Sequence, residues 1–194
     1  MTARRINDTR PMSERGLDAY ATPASAVHAL MRIERLPPGL PIYDPCAMTW
    51  AILDVFHAAG YRVIGADIAN YGRGDLIRDF LTAPAIPDAA IITNPPFAKA
   101  LEFIEKALPD GTPYAAFLLR TNFLESVRRK PFFERSPPSR VWVSSRRLPM
   151  MHRLGYEGPV STSNQSFMWA IWQAGSEDRG QLGWFDHAEA AWSR

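Results

Sequence analysis

The tetrapeptide Asn94-Pro95-Pro96-Phe97 combines residue types that could activate an amino group and hold a flat ring. Pro95 and Pro96 fix the backbone φ angle and supply no N–H, so the chain is stiff here and its carbonyl oxygens can act as acceptors. The side chain of Asn94 offers another carbonyl oxygen. If Asn94 Oδ1 and the Pro95 carbonyl accept both protons of an NH2 group, electron density returns to nitrogen and its lone pair can attack an electrophile. Phe97 could then stack on the ring that carries the amine.

Two aspartates also stand where predicted strands end. Asp44 follows the short apolar run 40–43, and Asp67, 23 residues later, follows the run 61–66. In an open α/β sheet, ligands bind outside the carboxyl ends of the strands, and Asp67 has the spacing of a ribose-binding carboxylate. Each aspartate alone is more typical of a turn or helix cap, and Asn94 with one proline is typical of a helix N-terminus. The second proline and Phe97 favour a ligand site.

The elements that must position these residues alternate along the chain from residue 24 onward, which predicts an α/β sheet with crossover helices. The predicted strands are 40–43, 61–66, 89–93, 114–119, 140–143 and 167–172. The predicted helices are 24–34, 49–59, 99–108 and 123–133, the last interrupted by Pro131. We expect a flexible arm over residues 1–17, a single domain over 18–194, and a loop over 146–165 that is long enough to reach across a pocket mouth.

Composition narrows the classes of protein that the chain can form. At 194 residues it is large enough to bury a core without disulfides. Cys46 is the only cysteine, which fits a reducing compartment, and we expect a cytoplasmic protein with no secretory signal and no membrane span. The four histidines are scattered without metal-ligand spacing, so the sequence predicts no metal site. The oligomeric state is left open.

Basic residues are concentrated in one part of the chain. The segment Arg120–Arg153 holds nine basic and two acidic residues, against 13 basic and 18 acidic in the remainder. Such a distribution favours a polyanionic partner, with a solvated basic face as the alternative. Phosphate contacts from arginine and lysine give affinity with little sequence discrimination. The residues predicted to contact nucleic acid are Arg128, Arg129, Lys130, Arg146 and Arg147.

Together these features resemble the S-adenosylmethionine-dependent amino-methyltransferases, particularly the adenine-N6 DNA methyltransferases. Asn94-Pro95-Pro96-Phe97 matches their (D/N/S)-P-P-(Y/F) motif, and the resemblance covers residues 18–172 in a consistent order. It implies a Rossmann-like class I methyltransferase fold, a mixed seven-stranded sheet flanked by helices with the final strand antiparallel. The cofactor-binding residues that the resemblance implies are Tyr20, Thr22, Pro23, Asp44, Cys46, Asp67, Asp79 and Phe80.

The resemblance implies S-adenosylmethionine as cofactor and transfer to adenine N6 of a base taken out of DNA. One alternative is transfer to a glutamine amide of a protein; another is a binding module that has lost the cofactor. The second arises because Met48 and Trp50 stand where the family's cofactor loop usually has glycines. Neither residue admits a positive φ without strain, so we expect weakened affinity, with Trp50 either filling the pocket or pointing outward from a rearranged loop.

Overall fold

The structure is a computed structural model that describes residues 21–73, 75–109, 111–150 and 164–189. Its strands are β1 Ile42–Asp44, β2 Val63–Asp67, β3 Leu76–Ile77, β4 Ala90–Thr93, β5 Tyr114–Arg120, β6 Arg140–Ser144, β7 Phe167–Gln173 and β8 Gln181–Phe185. Its helices are α1 Ala24–Ile33, α2 Leu53–Ala58, α3 Ala100–Ala107 and α4 Lys130–Arg135. The predicted arm, Tyr20 and most of the predicted loop 146–165 lie outside the described residues.

The eight strands form one sheet in the order β3-β2-β1-β4-β5-β7-β6-β8. β7 runs antiparallel to its neighbours β5 and β6, and all other pairs are parallel. This confirms the predicted α/β fold with a mixed sheet. The predicted strand count and final strand are wrong, because β8 adds to β6 in parallel beyond the antiparallel strand. β8 was not predicted because it contains Gly183, and glycine is unusual inside a strand. Glycine is needed here because a Cβ would overlap the ring of Trp142.

The core lies on both faces of the sheet, where β4, β5 and β7 are almost entirely buried. One apolar cluster joins the sheet to α1 and α2, and a second joins it to α3 and α4. Trp169 is fully buried, and its indole N–H donates to the carbonyl of Ala26 at 3.1 Å, which fixes α1 on the sheet. This explains why the central strands read as continuous apolar runs in the sequence.

A buried carboxylate fastens the amino ends of the strands. Glu34, directly after α1, accepts hydrogen bonds from Tyr114 at the start of β5, Arg140 at the start of β6, and the indole of Trp142. Hydrogen bonding to Glu34 raises the pKa of Arg140. Because this network lies at the opposite end of the strands from Asn94, it stabilises the sheet without contributing to the predicted ligand site.

The structure corrects the predicted helix 123–133. Residues Thr121–Leu124 form a 3-10 turn, and α4 begins only at Lys130. Pro131 lies in the first turn of α4, where its missing N–H costs nothing, so it starts this helix and does not interrupt one. In the described part of the chain, no helix is long and apolar enough to cross a membrane, and no group of three or more potential ligands could hold a metal ion.

Candidate active site

A cavity of about 250 Å³ lies at the carboxyl ends of β1, β2 and β4. The segments that follow these strands and β3 form most of its described wall. The predicted site residues that line it are Thr22, Asp44, Cys46, Asp67, Asp79, Phe80, Asn94 and Pro96. Pro23, Pro95 and Phe97 are not among the lining residues. The sheet thus brings together most of the predicted catalytic and cofactor-binding residues.

Asp44 is the last residue of β1 and is only 2% exposed. Its Oδ1 accepts hydrogen bonds from Thr93 Oγ1 at 2.7 Å and from the backbone N–H of Cys46 at 2.9 Å. Burial nevertheless raises the pKa of Asp44 to about 7, and the negative charges of Asp67 and Asp75 add to the effect. A cationic group bound in this cavity would favour the ionised form of Asp44.

Asp67 and Asp79 place two further carboxylates on the cavity wall. Asp67 accepts backbone hydrogen bonds from Met48 at 3.2 Å and Ala69 at 3.1 Å, and burial raises its pKa. Asp79 accepts the backbone N–H of Leu81 at 3.0 Å. The bond from Met48 to Asp67 joins the loop after β1 to the end of β2, so two neighbouring walls of the cavity hold each other in place.

The apolar part of the wall includes Phe80 and Cys46. Phe80 is 6% exposed and stacks on Phe103 with ring centroids 4.9 Å apart, while Tyr43 lies at 6.2 Å on a tilted plane. Burial raises the pKa of the Cys46 thiol well above its usual value, so the thiol is protonated near neutral pH. Cys46 therefore contributes a neutral, polarisable surface to the cavity.

Met48 and Trp50 have a left-handed backbone, with φ of 39° and 63°, a conformation that favours glycine. The two side chains go to different places. Met48 lines the cavity, whereas Trp50 is absent from its wall and packs on the opposite side of the loop, against β2. Of the two alternatives for Trp50, filling the pocket or pointing outward, the structure shows the second. Its outward direction needs no rearranged backbone, because the residue itself accepts the positive φ.

The tetrapeptide leaves β4 at the cavity. Asn94 and Pro96 line the wall, Pro95 is buried, and a 3-10 turn begins at Phe97. The carbonyl of Pro96 accepts the backbone N–H of Lys99 at 2.8 Å, which closes this turn. Two prolines and a tight turn thus fix the direction of the chain where it passes the cavity.

Phe97 follows the cavity-lining Pro96 and packs against the core. Its ring centroid lies 5.9 Å from that of Phe167, and the guanidinium carbon of Arg120 lies 4.0 Å above the ring. Arg120 is the last residue of β5. A planar substrate that stacks on this face of Phe97 must therefore displace the Arg120 guanidinium, a contact that the sequence did not reveal.

The segment before α1 closes another side of the cavity. Thr22 is 5% exposed and lines the wall, and Pro23 is the N-cap residue of α1, its carbonyl accepting the N–H of Ala26 at 2.9 Å. Of the predicted Tyr20–Pro23 segment, the structure therefore places Thr22 at the cavity and gives Pro23 a position at the start of the helix.

Among the basic residues after β5, the three predicted nucleic-acid contacts differ. Arg129 stacks on Phe123 and donates to the carbonyls of Asn122, Phe123 and Glu125, so its guanidinium holds the loop together. Lys130 pairs with Glu134 one turn along α4. Arg128 is exposed, next to Val127, which is 90% exposed.

The other predicted pair of arginines lies after β6. Arg146 forms an exposed bidentate ion pair with Asp186, at 2.9 Å for the shortest contact. Arg147 donates to Ser166 Oγ at 2.6 Å and to the carbonyl of Asn164. These contacts attach the loop after β6 to the segments flanking β7 and β8, so both arginines have structural partners.

The sequence prediction missed Tyr71 and Lys99, which line the cavity, and Thr93, which donates a hydrogen bond to the cavity residue Asp44. Thr93 directly precedes Asn94, and its position at a strand end was the available signal. Lys99 is the only cationic side chain among the described lining residues, against three aspartates. The cavity therefore combines an acidic wall with apolar surface, a composition suited to a flat ligand that carries positive charge.

Comparisons with solved structures support the fold. Over 87% of this chain and 67% of the other, the structure matches a proposed class I S-adenosylmethionine-dependent methyltransferase from Listeria monocytogenes with a TM-score of 0.59 and 14% identity. It also matches a modification subunit of a proposed type I restriction enzyme from Vibrio vulnificus YJ016, with a TM-score of 0.58 and 12% identity. That match covers 91% of this chain but only 48% of the subunit.

No protein-family model matches the chain, and a comparison with curated proteins gives no match. At these levels of identity the solved structures establish the fold and nothing finer. The strand order and the antiparallel β7 are those of a Rossmann-like class I methyltransferase fold, with β8 as an additional edge strand.

Proposed function

We propose that this protein transfers a methyl group from S-adenosylmethionine to an exocyclic amine, and that the amine is N6 of adenine in DNA. One observation carries the proposal. Asn94 and Pro96 line the same cavity as Asp44, Asp67 and Asp79, so an amine-activating motif faces the space that the acidic wall reserves for a ligand. The fold, which is that of class I methyltransferases, is consistent with this reaction.

The carboxylates and apolar side chains that line the cavity suit S-adenosylmethionine. Bound S-adenosylmethionine supplies an electrophilic methyl group on a positively charged sulfur. Asp44 is a buried carboxylate whose pKa is raised to about 7, and a cationic ligand would relieve that cost. Asp67, at the end of β2, has the position of a ribose-binding carboxylate, and Asp79 with Phe80 offers an acceptor and an apolar surface for a purine.

The chain's own residues would activate the amine by accepting its protons. Asn94 Oδ1 and the Pro95 carbonyl are the acceptors, and the two prolines keep them in a fixed direction. As the N–CH3 bond forms, the S–CH3 bond breaks, and the resulting ammonium loses its extra proton to solvent. No strong base is needed, which agrees with the absence of histidine from the described cavity wall.

DNA is favoured by charge and exposure. The segment Arg120–Arg153 holds nine basic and two acidic residues, whereas the rest of the chain has more acidic than basic residues. Arg128 is exposed in the loop after β5, which begins beside Phe97. The similarity in fold to a restriction-enzyme modification subunit agrees with this choice. The alternative of an impaired binding module loses one of its two supports, because Trp50 does not line the cavity, whereas Met48 does.

The experiment combines binding and transfer. S-Adenosylhomocysteine affinity is measured by calorimetry, and N6-methyladenine is measured by mass spectrometry after incubation with S-adenosylmethionine and unmethylated duplex DNA of mixed sequence. Asn94→Ala should lower kcat by roughly 100- to 1,000-fold, the range for losing a preorganised hydrogen-bonding group at a reacting centre. Asn164→Ala, the same change at an exposed position outside the cavity wall, should leave the rate unchanged.

The outcomes separate the parts of the proposal. Cofactor binding without methylation of DNA would reject adenine as the target and retain the cofactor site. Undiminished methylation by Asn94→Ala would reject the role of Asn94. No measurable affinity for S-adenosylhomocysteine or S-adenosylmethionine would reject the enzyme altogether.

A further inference from the structure

Trp50 takes part in a polar cluster outside the cavity. Its indole N–H donates to Asp75 Oδ1, and the guanidinium carbon of Arg73 lies 5.2 Å from the ring centroid. Arg73 in turn pairs with Asp54 in α2 at 2.7 Å. The indole thus connects the loop after β1 with the segment between β2 and β3.

Gly65 in β2 provides the room for this contact. A Cβ at residue 65 would overlap Asp75 Oδ1 and would lie 3.0 Å from Trp50 Nε1. The backbone at Gly65 needs no positive φ, so close approach, and not a special conformation, is the reason for glycine here. The hydrogen bond between Trp50 and Asp75 therefore requires a glycine at residue 65.

The segment that Trp50 holds has few other anchors. β3 contributes only two residues, Leu76 and Ile77, which are 47% and 61% exposed, and it pairs with β2 through two residue pairs. The same segment carries Tyr71, which lines the cavity. With so little apolar burial in β3, a contact from Trp50 to Asp75 has a large share in fixing this wall.

We infer that Trp50 is a positioning residue: its indole N–H, by holding Asp75, fixes the neighbouring residues 71–73 and with them the Tyr71 wall of the cavity. The left-handed backbone at residue 50 directs the indole away from the cavity and towards Asp75. Trp50 therefore adds a hydrogen bond that a glycine at this position could not make. We call this bond from Trp50 to Asp75 the tether. The effect on cofactor affinity rests on the proposed function, whereas the tether itself does not.

The tether is tested in the ligand-free protein by amide hydrogen exchange. Trp50→Phe keeps an aromatic ring and removes only the N–H donor. Amides of residues 68–73 and 75–77 should exchange about 3- to 10-fold faster, the range expected for one lost hydrogen bond. Gly65→Ala should produce the same change by displacing Asp75. The matched control is Trp184→Phe, since Trp184 is 64% exposed on β8.

A double variant and a kinetic measurement make the test sharper. Trp50→Phe combined with Gly65→Ala should exchange no faster than either alone, because both remove one contact. In the methylation assay, Trp50→Phe should raise KM for S-adenosylmethionine about 3- to 10-fold and leave kcat within about 2-fold, since Asn94 is untouched. General unfolding would instead lower the amount of active protein and reduce kcat.

Asp75 supplies a readout that packing alone would not move. Asp75→Asn keeps the Oδ1 acceptor for Trp50 but removes the negative charge that raises the pKa of Asp44. The pH midpoint of S-adenosylmethionine binding should therefore fall, while exchange in the segment stays as in the wild type.

Unchanged exchange in Trp50→Phe, additive effects with Gly65→Ala, or an equal effect of Trp184→Phe would each overturn the inference. Absence of cofactor binding would contradict the proposed function and leave the exchange result decisive for the tether.

Discussion

Asp44→Asn should change how the stability of the protein depends on pH. In the folded protein, burial raises the pKa of Asp44 from 3.8 to about 7. Between these values the unfolded chain has released a proton that the folded chain still holds, so the free energy of unfolding falls as pH rises. At about 1.4 kcal/mol for each unit of pKa, the free energy of unfolding falls by about 4 kcal/mol in total, and the fall is complete above pH 7.

The asparagine amide keeps an oxygen that can accept from Thr93 and Cys46, but it cannot ionise. The difference in unfolding free energy between Asp44→Asn and the wild type should therefore shift by about 4 kcal/mol in favour of the variant between pH 4 and pH 8. Urea denaturation at pH values across this range measures it. Glu105→Gln is the matched control, because it removes one carboxylate from an exposed position on α3.

Two outcomes would refute this reasoning. Stability curves of Asp44→Asn and the wild type that run parallel from pH 4 to pH 8 would show that Asp44 has an ordinary pKa. S-Adenosylmethionine affinity that does not change with pH would show that the sulfonium and Asp44 do not interact; otherwise, affinity should increase up to about tenfold per unit as pH rises towards 7.

The remaining predictions concern the substrate side. Phe97→Ala should lower kcat/KM for DNA by roughly 5- to 150-fold and Phe97→Tyr should be tolerated, as measured by steady-state kinetics with stability recorded in parallel; equal rates for Ala and Phe would mean that the ring serves packing alone. Arg128→Gln should reduce the salt slope of DNA binding by about 1, measured by fluorescence anisotropy between 50 and 200 mM salt, and Arg179→Gln should not; equal slopes for the two variants would exclude a phosphate contact at Arg128.

Much of the fold could be predicted because its central strands are continuous apolar runs. The predicted strand 89–93 corresponds to β4, buried throughout, and Asn94 follows it as expected. β3 could not be predicted, since two exposed residues give no periodic pattern. β8 contains Gly183, which is needed because the ring of Trp142, about 40 positions earlier in the chain, leaves no room for a Cβ. Such long-range contacts are not encoded in a local pattern.

The candidate site was predictable where several polar residues follow predicted strands, as for Asp44, Asp67 and Asn94, because the carboxyl ends of parallel strands meet at one edge of the sheet. It was less predictable where long side chains choose among partners. Arg129 and Arg146 contribute to a basic segment in sequence, yet the fold gives them carbonyl oxygens and Asp186 as partners. Charge counts along a chain therefore identify a region, while only the structure shows which guanidinium groups face solvent.

Trp50→Gly provides the clearest contrast between sequence and structure. From the sequence, glycines at both residue 48 and residue 50 should strengthen cofactor binding, because Met48 and Trp50 are expected to weaken it. In the structure, glycine would relieve about 1–2 kcal/mol of strain at φ 63°. It would lose a hydrogen bond to Asp75 worth about 1 kcal/mol, a contact with Arg73 worth about 0.5–1 kcal/mol, and the partial burial of a large ring worth about 1.5 kcal/mol or more. We therefore expect Trp50→Gly to destabilise the protein by about 2 kcal/mol and to weaken S-adenosylhomocysteine binding, with Trp50→Phe intermediate. Denaturation and calorimetry on the three proteins measure both effects. Tighter binding by the glycine variant would show that the indole obstructs the cavity after all.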